Sequence, residues 1–311
     1  MAEKDIAEKT LESYNDVFAD IVNVLLFQGR PLLKEEELEE KQPRAVYKTD
    51  GKLREIERDV LKQWKKENIC IACIGLENQT DSDVDMPLRI MGYDGAEYRA
   101  QLIKKHSSER YPVLTLVLHF DYEKRWNKSQ SLKERLTVPE ELRMYVSDYT
   151  YNLFEIAYLS DEQLDQFKSD FWVVADYFVQ MRKNRDYQPK PRRIRHAQET
   201  LHLLSVLTGD ARFEDVCNEQ VEGVHTMCEV LDRIENQGIQ KGIEKGIEKG
   251  TLSERERMVR RMYLKGYSLK DISEIAEISE KAVRMIVGEP VFGLKYISES
   301  EYVLEYSKTI L

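Results

Sequence analysis

Residues 69–79, ICIACIGLENQ, limit the possible folds more than any other stretch. Residues 69–76 are apolar or glycine, and three of them are isoleucine. Such a run suits a strand buried within a sheet, since β-branched side chains pack well on a pleated, covered surface. The run stops abruptly at Glu77, Asn78 and Gln79, and TDSDVD follows. Strand side chains alternate, so Glu77 and Gln79 point to the same side. A buried strand therefore ends by presenting a carboxylate and an amide together.

The segments around it predict a sheet flanked by helices. Residues 5–28 carry Tyr14, Val17, Phe18, Ile21, Val22, Leu25 and Leu26 at helical spacing, with Gly29 and Pro31 as stop signals. KEEELEEKQP reads as a solvated connector. Extended segments at about 55–64 and 69–77, separated by KKEN, read as a β-hairpin. Residues 86–105 read as a helix with Leu88, Met91, Tyr98 and Leu102 facing inward, and RYPVLTLVLHFD as a third, central strand. YNLFEIAYL adds a further strand, and residues 160–184 read as one helix.

Between 182 and 196, seven basic residues (Arg182, Lys183, Arg185, Lys190, Arg192, Arg193 and Arg195) stand against one acid, Asp186, with two prolines. This is either a phosphate-contacting arm or a solvated linker. Residues 198–250 read as helical throughout. Cys217, Val221, Val224, Cys228 and Leu231 recur at 4-3-4-3 spacing, which fits a coiled-coil seam or a packed helix. GIQKGIEKGIEKG then places glycine at 238, 242, 246 and 250 and isoleucine at 239, 243 and 247. This points to either a tolerated low-complexity linker or a helix for homo-oligomerisation, extending through 217–250.

Residues 252–288 read as a long helix, a Gly-Tyr turn, a short helix opened by Ser268 with Asp271 three on, and a last helix opened by Ser279. Ile272, Ile275, Ile278, Val283 and Ile286 supply a small core. That is the layout of a helix-turn-helix, whose final helix presents Glu280, Lys281 and Arg284. A trihelical unit without a DNA role has the same pattern. The tail from 289 on reads as a segment that docks through its apolar and tyrosine residues.

The net charge of −10 argues against a protein that coats nucleic acid nonspecifically. The N-terminal residues show no apolar signal region and the longest apolar runs are too short to span a bilayer, so the expectation is a soluble cytoplasmic protein with no membrane partner. Four cysteines fit a reducing compartment. Cys70 and Cys73 lie on a strand and no histidine pair accompanies them, so a zinc site is not expected. Asp81, Asp83 and Asp85 do not form an EF-hand, because Met86 and Gly92 fall where glycine and glutamate are required. They suit the N-terminus of the helix that begins near Met86. The five histidines are scattered, with no nucleophile to complete a triad.

Phosphodiester hydrolysis by a metal needs hard oxygen ligands held close together. Asp59 on one strand and Glu77 on the next supply two, and the Asn78 main-chain carbonyl is a third. Gln79 can hydrogen-bond an attacking water but cannot acidify it. The structural alternatives are a Glu77 paired with Arg58 or Arg89 and an Asp59 that is an exposed hairpin acid.

LENQ after an RDV strand, MPLRIMGYDGAEYRAQL, and YPVLTLVLHF with Trp126 beyond it together resemble the Rpn family of recombination-promoting nucleases, also labelled transposases, in the PD-(D/E)XK superfamily. TLESYNDVFADIVNVLLF and the GIEKG repeats resemble its longer Gram-positive members. The resemblance covers most of residues 10–250. It implies a mixed α/β (α+β) PD-(D/E)XK restriction-endonuclease-like core over 1–196; with the patterns read above, a helical region over 197–250, a helix-turn-helix-like unit over 251–288 and a tail from 289 follow. It further implies a DNA endonuclease using Mg²⁺ or Mn²⁺, linked to recombination or transposition, with DNA as partner. Asp59 matches the first acidic position, Glu77 the second, and Gln79 the glutamine variant of the superfamily's lysine. Asp16 or Asp20 is the implied auxiliary acid. Arg58 stands where the motif has proline. The alternative is a catalytically inactive DNA-binding or regulatory protein on the same scaffold.

Overall fold

A computed structural model describes residues 11–41, 44–49, 52–67, 69–103, 110–218 and 226–289. The expectations for residues 5–10, Val221, Val224, the Cys217 side chain and the tail from 290 lie outside the described residues. The chain forms two compact units, 1–234 and 235–311.

The first unit is built on a mixed five-stranded sheet. Its strands are β1 (Leu38–Glu40), β4 (Val60–Lys66), β5 (Ile69–Gln79), β6 (Val113–His119) and β7 (Asn152–Glu155), in the order β1-β4-β5-β6-β7. The first two pairings are antiparallel and the last two parallel. The expected hairpin is present as β4–β5, with Val60 opposite Leu76. Its first arm is shorter than the sequence suggests. Residues 52–57 form β3 (Lys52–Glu57), which pairs with β2 (Arg44–Thr49) in a separate two-stranded ribbon. The expected solvated connector also differs, because Leu38 is buried and β1 adds an edge strand to the sheet.

Alternation along β5 sends its side chains into two layers. Ala72, Ile74 and Leu76 join the main core with helix α1 (Asn15–Leu25), as do Leu116 and Leu118 of β6. Val117 packs on the other side with Met86, Ile90 and Tyr93 of α2 (Met86–Ile103), the helix that crosses from β5 to β6. The inward face of α2 is not the one expected. Leu88, Met91, Tyr98 and Leu102 are 42–70% exposed. Asp94, Glu97 and Gln101 are buried instead, because each serves a polar partner beneath the helix.

After the four-residue α3 (Leu132–Arg135) and β7, the stretch read as one helix is two, α4 (Asp161–Gln166) and α5 (Phe171–Asn184). Asp20 explains the break: its carboxylate accepts the main-chain N–H groups of Lys168 and Ser169 at 2.8 and 2.7 Å. Helices α6 (Ala197–Thr208) and α7 (Ala211–Asn218) bury Leu201, Leu203, Leu204, Phe213 and Val216 in the main core. The first compact unit therefore includes α6 and α7.

The second unit takes the rest of α8 (Met227–Leu264), then α9 (Leu269–Ala276) and α10 (Glu280–Val287). Ser268 and Ser279 cap α9 and α10 by accepting N–H groups three residues on, as their spacing predicts. Ile272, Ile278, Val283 and Ile286 form the small core with Val259, whereas Ile275 is 56% exposed, not part of it. The arrangement is a helix-turn-helix. Among the described residues, no helix is long and apolar enough to cross a membrane.

Candidate active site

The polar end of β5 is where the site residues gather. Asp59 immediately precedes β4, across from the Glu77–Asn78 step, and its Oδ2 accepts the Asn78 main-chain N–H at 2.6 Å. Glu77 is 2% exposed and faces the α2 layer. Asn78 faces the α1 layer, where its side-chain amide donates to Glu12 Oε2 at 2.8 Å. Glu12 is fully buried. Gln79 Nε2 lies 3.4 Å from Glu77 Oε1, on the same face as alternation requires.

The acid beside Asn78 is Glu12, just ahead of α1, a residue the sequence reading passes over. Asp16 meets Arg195 Nη1 and His196 Nε2, both at 3.1 Å, and Asp20 caps the loop before α5. The signal for this was the break in the helix. Glu12, Asp16 and Asp20 would share one face of a continuous helix, but the chain turns at Ser13 and Tyr14 and α1 starts afresh at Asn15.

Glu77 is also an ion-pair partner. Arg89, on the second turn of α2, donates from Nη2 to Glu77 Oε1 and from Nη1 to Asp83 Oδ2 at 3.0 Å. Burial opposes the charge on Arg89, but Glu77, Tyr93 and Asp83 together outweigh it and raise the guanidinium above its ordinary pKa. Asp83 and Asp85 do serve the start of α2: Asp83 Oδ1 accepts the Asp85 N–H, and Asp85 takes the Arg135 guanidinium.

Arg58, in the position of the motif's proline, is structural. It is 2% exposed and donates to Thr115 Oγ1 at 3.1 Å and Asp94 Oδ1 at 3.2 Å, while Tyr149 donates to Asp94 Oδ2 at 2.6 Å. Gly75 leaves room for it, since a Cβ there would lie 2.6 Å from Arg58 Nη1. This network fixes the residue next to Asp59.

His119 ends β6 opposite Gln79 in the parallel register. It is 1% exposed, and neither ring nitrogen has a hydrogen-bond partner among the described residues. Burial lowers its pKa, against the charges of Asp121, Glu155 and Asp81. Cys73 is buried, and burial pushes its thiol up to about 12, so it is an inert packing group.

The donor chemistry at this end of the sheet is hard oxygen, of the type magnesium and manganese prefer. Asp59 and Glu77 lie opposite each other by register, and the Asn78 N–H holds the Asp59 carboxylate. One carboxylate oxygen of Glu77 is already engaged by Arg89. Among the described residues, no three His, Cys, Asp or Glu side chains form a cage for a metal.

The basic segment 182–196 packs against the first unit through part of its side chains, while Lys183, Arg185, Lys190, Arg193 and Arg195 are exposed. Arg182 donates to the Ala157 carbonyl and Arg192 to that of Phe167, at 2.6 and 2.7 Å. Lys183 pairs with Asp161, Arg185 with Glu123, Lys190 with Asp176 and Arg195 with Asp16. Arg193 and Arg195 line a cleft of about 440 Å³ with Lys168 and Asp170, and this cleft includes neither Asp59 nor Glu77. On α10, Lys281 is exposed, while Arg284 turns back to Glu289 at 2.8 Å.

Residues 250–289, spanning the helix-turn-helix, match the family model described as "Bacterial regulatory proteins, luxR family". No curated protein and no solved structure matches the chain. Residues 32–199 match the family model described as "Putative transposase, YhgA-like". That match spans more than half of the 311 residues, runs from β1 through β7, and contains Asp59, Glu77 and Gln79. The resemblance to Rpn nucleases is thereby borne out at the level of the family: the chain belongs to the YhgA-like transposase family, with a helix-turn-helix appended.

Proposed function

We propose that this protein is a divalent-metal-dependent DNA endonuclease. The observation that carries the reading is Asp59 set across from the Glu77–Asn78 step at the end of β5, its carboxylate held by the Asn78 N–H. A bound magnesium or manganese ion would supply an activated water and offset the charge of the scissile phosphate. Asp59 and Glu77 are the residues that would hold it, with the Asn78 carbonyl. The hydrogen bond from Asn78 N–H fixes the Asp59 carboxylate, and Glu12 fixes the Asn78 amide from the opposite layer. Gln79 orients the Glu77 carboxylate and hydrogen-bonds water; an amide does not accept a proton at neutral pH, so its role is positional. The helix-turn-helix brings the substrate, with Lys281 and Arg284 as its contacts to DNA and the 182–196 segment as a second basic surface.

The test is nicking of supercoiled plasmid with and without Mg²⁺. D59A and E77A are each expected to lose at least about 100-fold in rate, a range in line with removal of a group that stabilises the reacting centre. Unchanged nicking in both D59A and E77A would overturn the assignment.

A second reading, a non-catalytic DNA-binding regulator, has its own observation behind it. Arg89 already neutralises Glu77, and the luxR-family match lies outside the sheet unit. Calorimetry showing no divalent-ion binding, together with salt-sensitive DNA binding, would favour this reading over the first.

A further inference from the structure

Each glycine inside a helix costs about 1 kcal/mol relative to alanine. Helix α8 carries four at four-residue intervals, Gly238, Gly242, Gly246 and Gly250, and a Cβ built on any of them would meet nothing within 4 Å. Its isoleucines lie beside them and are equally open: Ile239, Ile243 and Ile247 are 54%, 52% and 64% exposed. A helix that gives up propensity and exposes an apolar stripe in the same three turns has a face built for close approach.

The charges around that face say what approaches it. At about 100° per residue, each four-residue step advances about 40°, so glycines and isoleucines together cover roughly half the helix circumference. Lys241, Lys245 and Lys249 border the glycine side, and Gln240, Glu244 and Glu248 border the isoleucine side. The two borders carry opposite sign, so the face is complementary to itself in one orientation only. When two copies pack in parallel, the acidic border of each meets the basic border of the other. When they pack antiparallel, glutamates meet glutamates and lysines meet lysines.

We infer that α8 is a parallel homodimerisation helix whose occupant is the same face of a second copy of this chain. The four-residue ridges of the two helices interdigitate and cross at about −50°, with the glycines letting the backbones approach. Because α9 and α10 follow directly at the C-terminal end of α8, the parallel orientation delivers both helix-turn-helix units at the same end. Such a pair suits a two-fold DNA site with half-sites about 34 Å apart. The DNA clause rests on the reading proposed above; self-association does not.

The experiment uses the full chain. Its mass by light scattering is expected to be twice 36.6 kDa. G242L/G246L replaces glycine with a stronger helix former but blocks the close approach, so its mass is expected to fall to that of one chain while its helical circular dichroism is retained or increased. A monomeric wild type, or a variant whose mass is unchanged, overturns the proposal. Orientation is read by oxidative cross-linking against the wild type, which controls for the native cysteines. I239C is expected to cross-link to itself. Cross-linking of I239C with I247C, and not of I239C alone, means antiparallel packing and overturns the parallel assignment. These outcomes are independent of whether the protein nicks DNA.

Discussion

Arg89 donates directly to Oε1 of Glu77, so the carboxylate proposed above as a metal ligand already holds a cation of the protein's own. The two cations compete for one group. R89A is expected to raise Mn²⁺ affinity by roughly tenfold, equivalent to about 1.4 kcal/mol. Calorimetric titration of the full chain checks this, with E77A as the non-binding control. Weaker binding in R89A would mean that the arginine organises the site instead of competing for it.

The Arg58–Asp94 pair is the buried ionic centre between the sheet and α2, with both residues under 5% exposed. Removing one partner strands the other charge. D94A is expected to cost about 3–5 kcal/mol, because the guanidinium has no water to fall back on. T115V removes one weaker partner and is expected to cost about 1 kcal/mol. Urea unfolding gives both values; a D94A loss below about 1 kcal/mol would show that Arg58 finds another anion.

Gly75 is under steric constraint. Its missing side chain makes space for Arg58 Nη1 and Cδ, 2.6 and 2.7 Å from where a Cβ would stand, and the Val60 carbonyl is 3.3 Å away. G75A is expected to destabilise by about 1–3 kcal/mol through overpacking. Since the displaced arginine adjoins Asp59, the same substitution should weaken divalent-ion binding. Wild-type stability would mean that the guanidinium moves aside freely.

His119 sets a pH dependence. Burial keeps its pKa below the ordinary 6.5, so above that value both folded and unfolded forms are neutral and the burial carries no protonation penalty. As the pH falls through 6.5 towards the folded pKa, the unfolded chain takes up the proton first and stability drops. H119L removes this contribution. Its stability is expected to fall less steeply than that of the wild type between about pH 7 and about pH 5.5. Chemical denaturation at the two limits decides it, and parallel curves would count against the imidazole.

What the sequence disclosed was whatever has a period or a run. The strands β5 and β6 are continuous apolar stretches, and the helix-turn-helix carries a serine cap before each of its last two helices. Both were legible, as were Asp59 and Glu77 at the ends of adjacent strands. The sequence pattern of α2 points the wrong face inward because three of its seven buried residues are polar. Asp94, Glu97 and Gln101 look like surface residues until Arg58, Lys41 and Tyr111 are placed beneath them. Glu12 was missed for a similar reason. Its role depends on a helix break at Ser13 and on a partner, Asn78, 66 residues away. Contacts of that range leave no local pattern to read.

The sheet's outer strands have a consequence for how copies of this chain meet. β1 is three residues long and carries Glu39 and Glu40, and β7 is only four residues long. Edges this short, one of them acidic, give a neighbouring chain little ladder to extend and discourage uncontrolled strand-to-strand assembly. In this unit, growth of the sheet from chain to chain is closed off at both margins. Encounters between copies are thereby steered away from backbone templating and towards side-chain recognition, which can be reversible and finite in number.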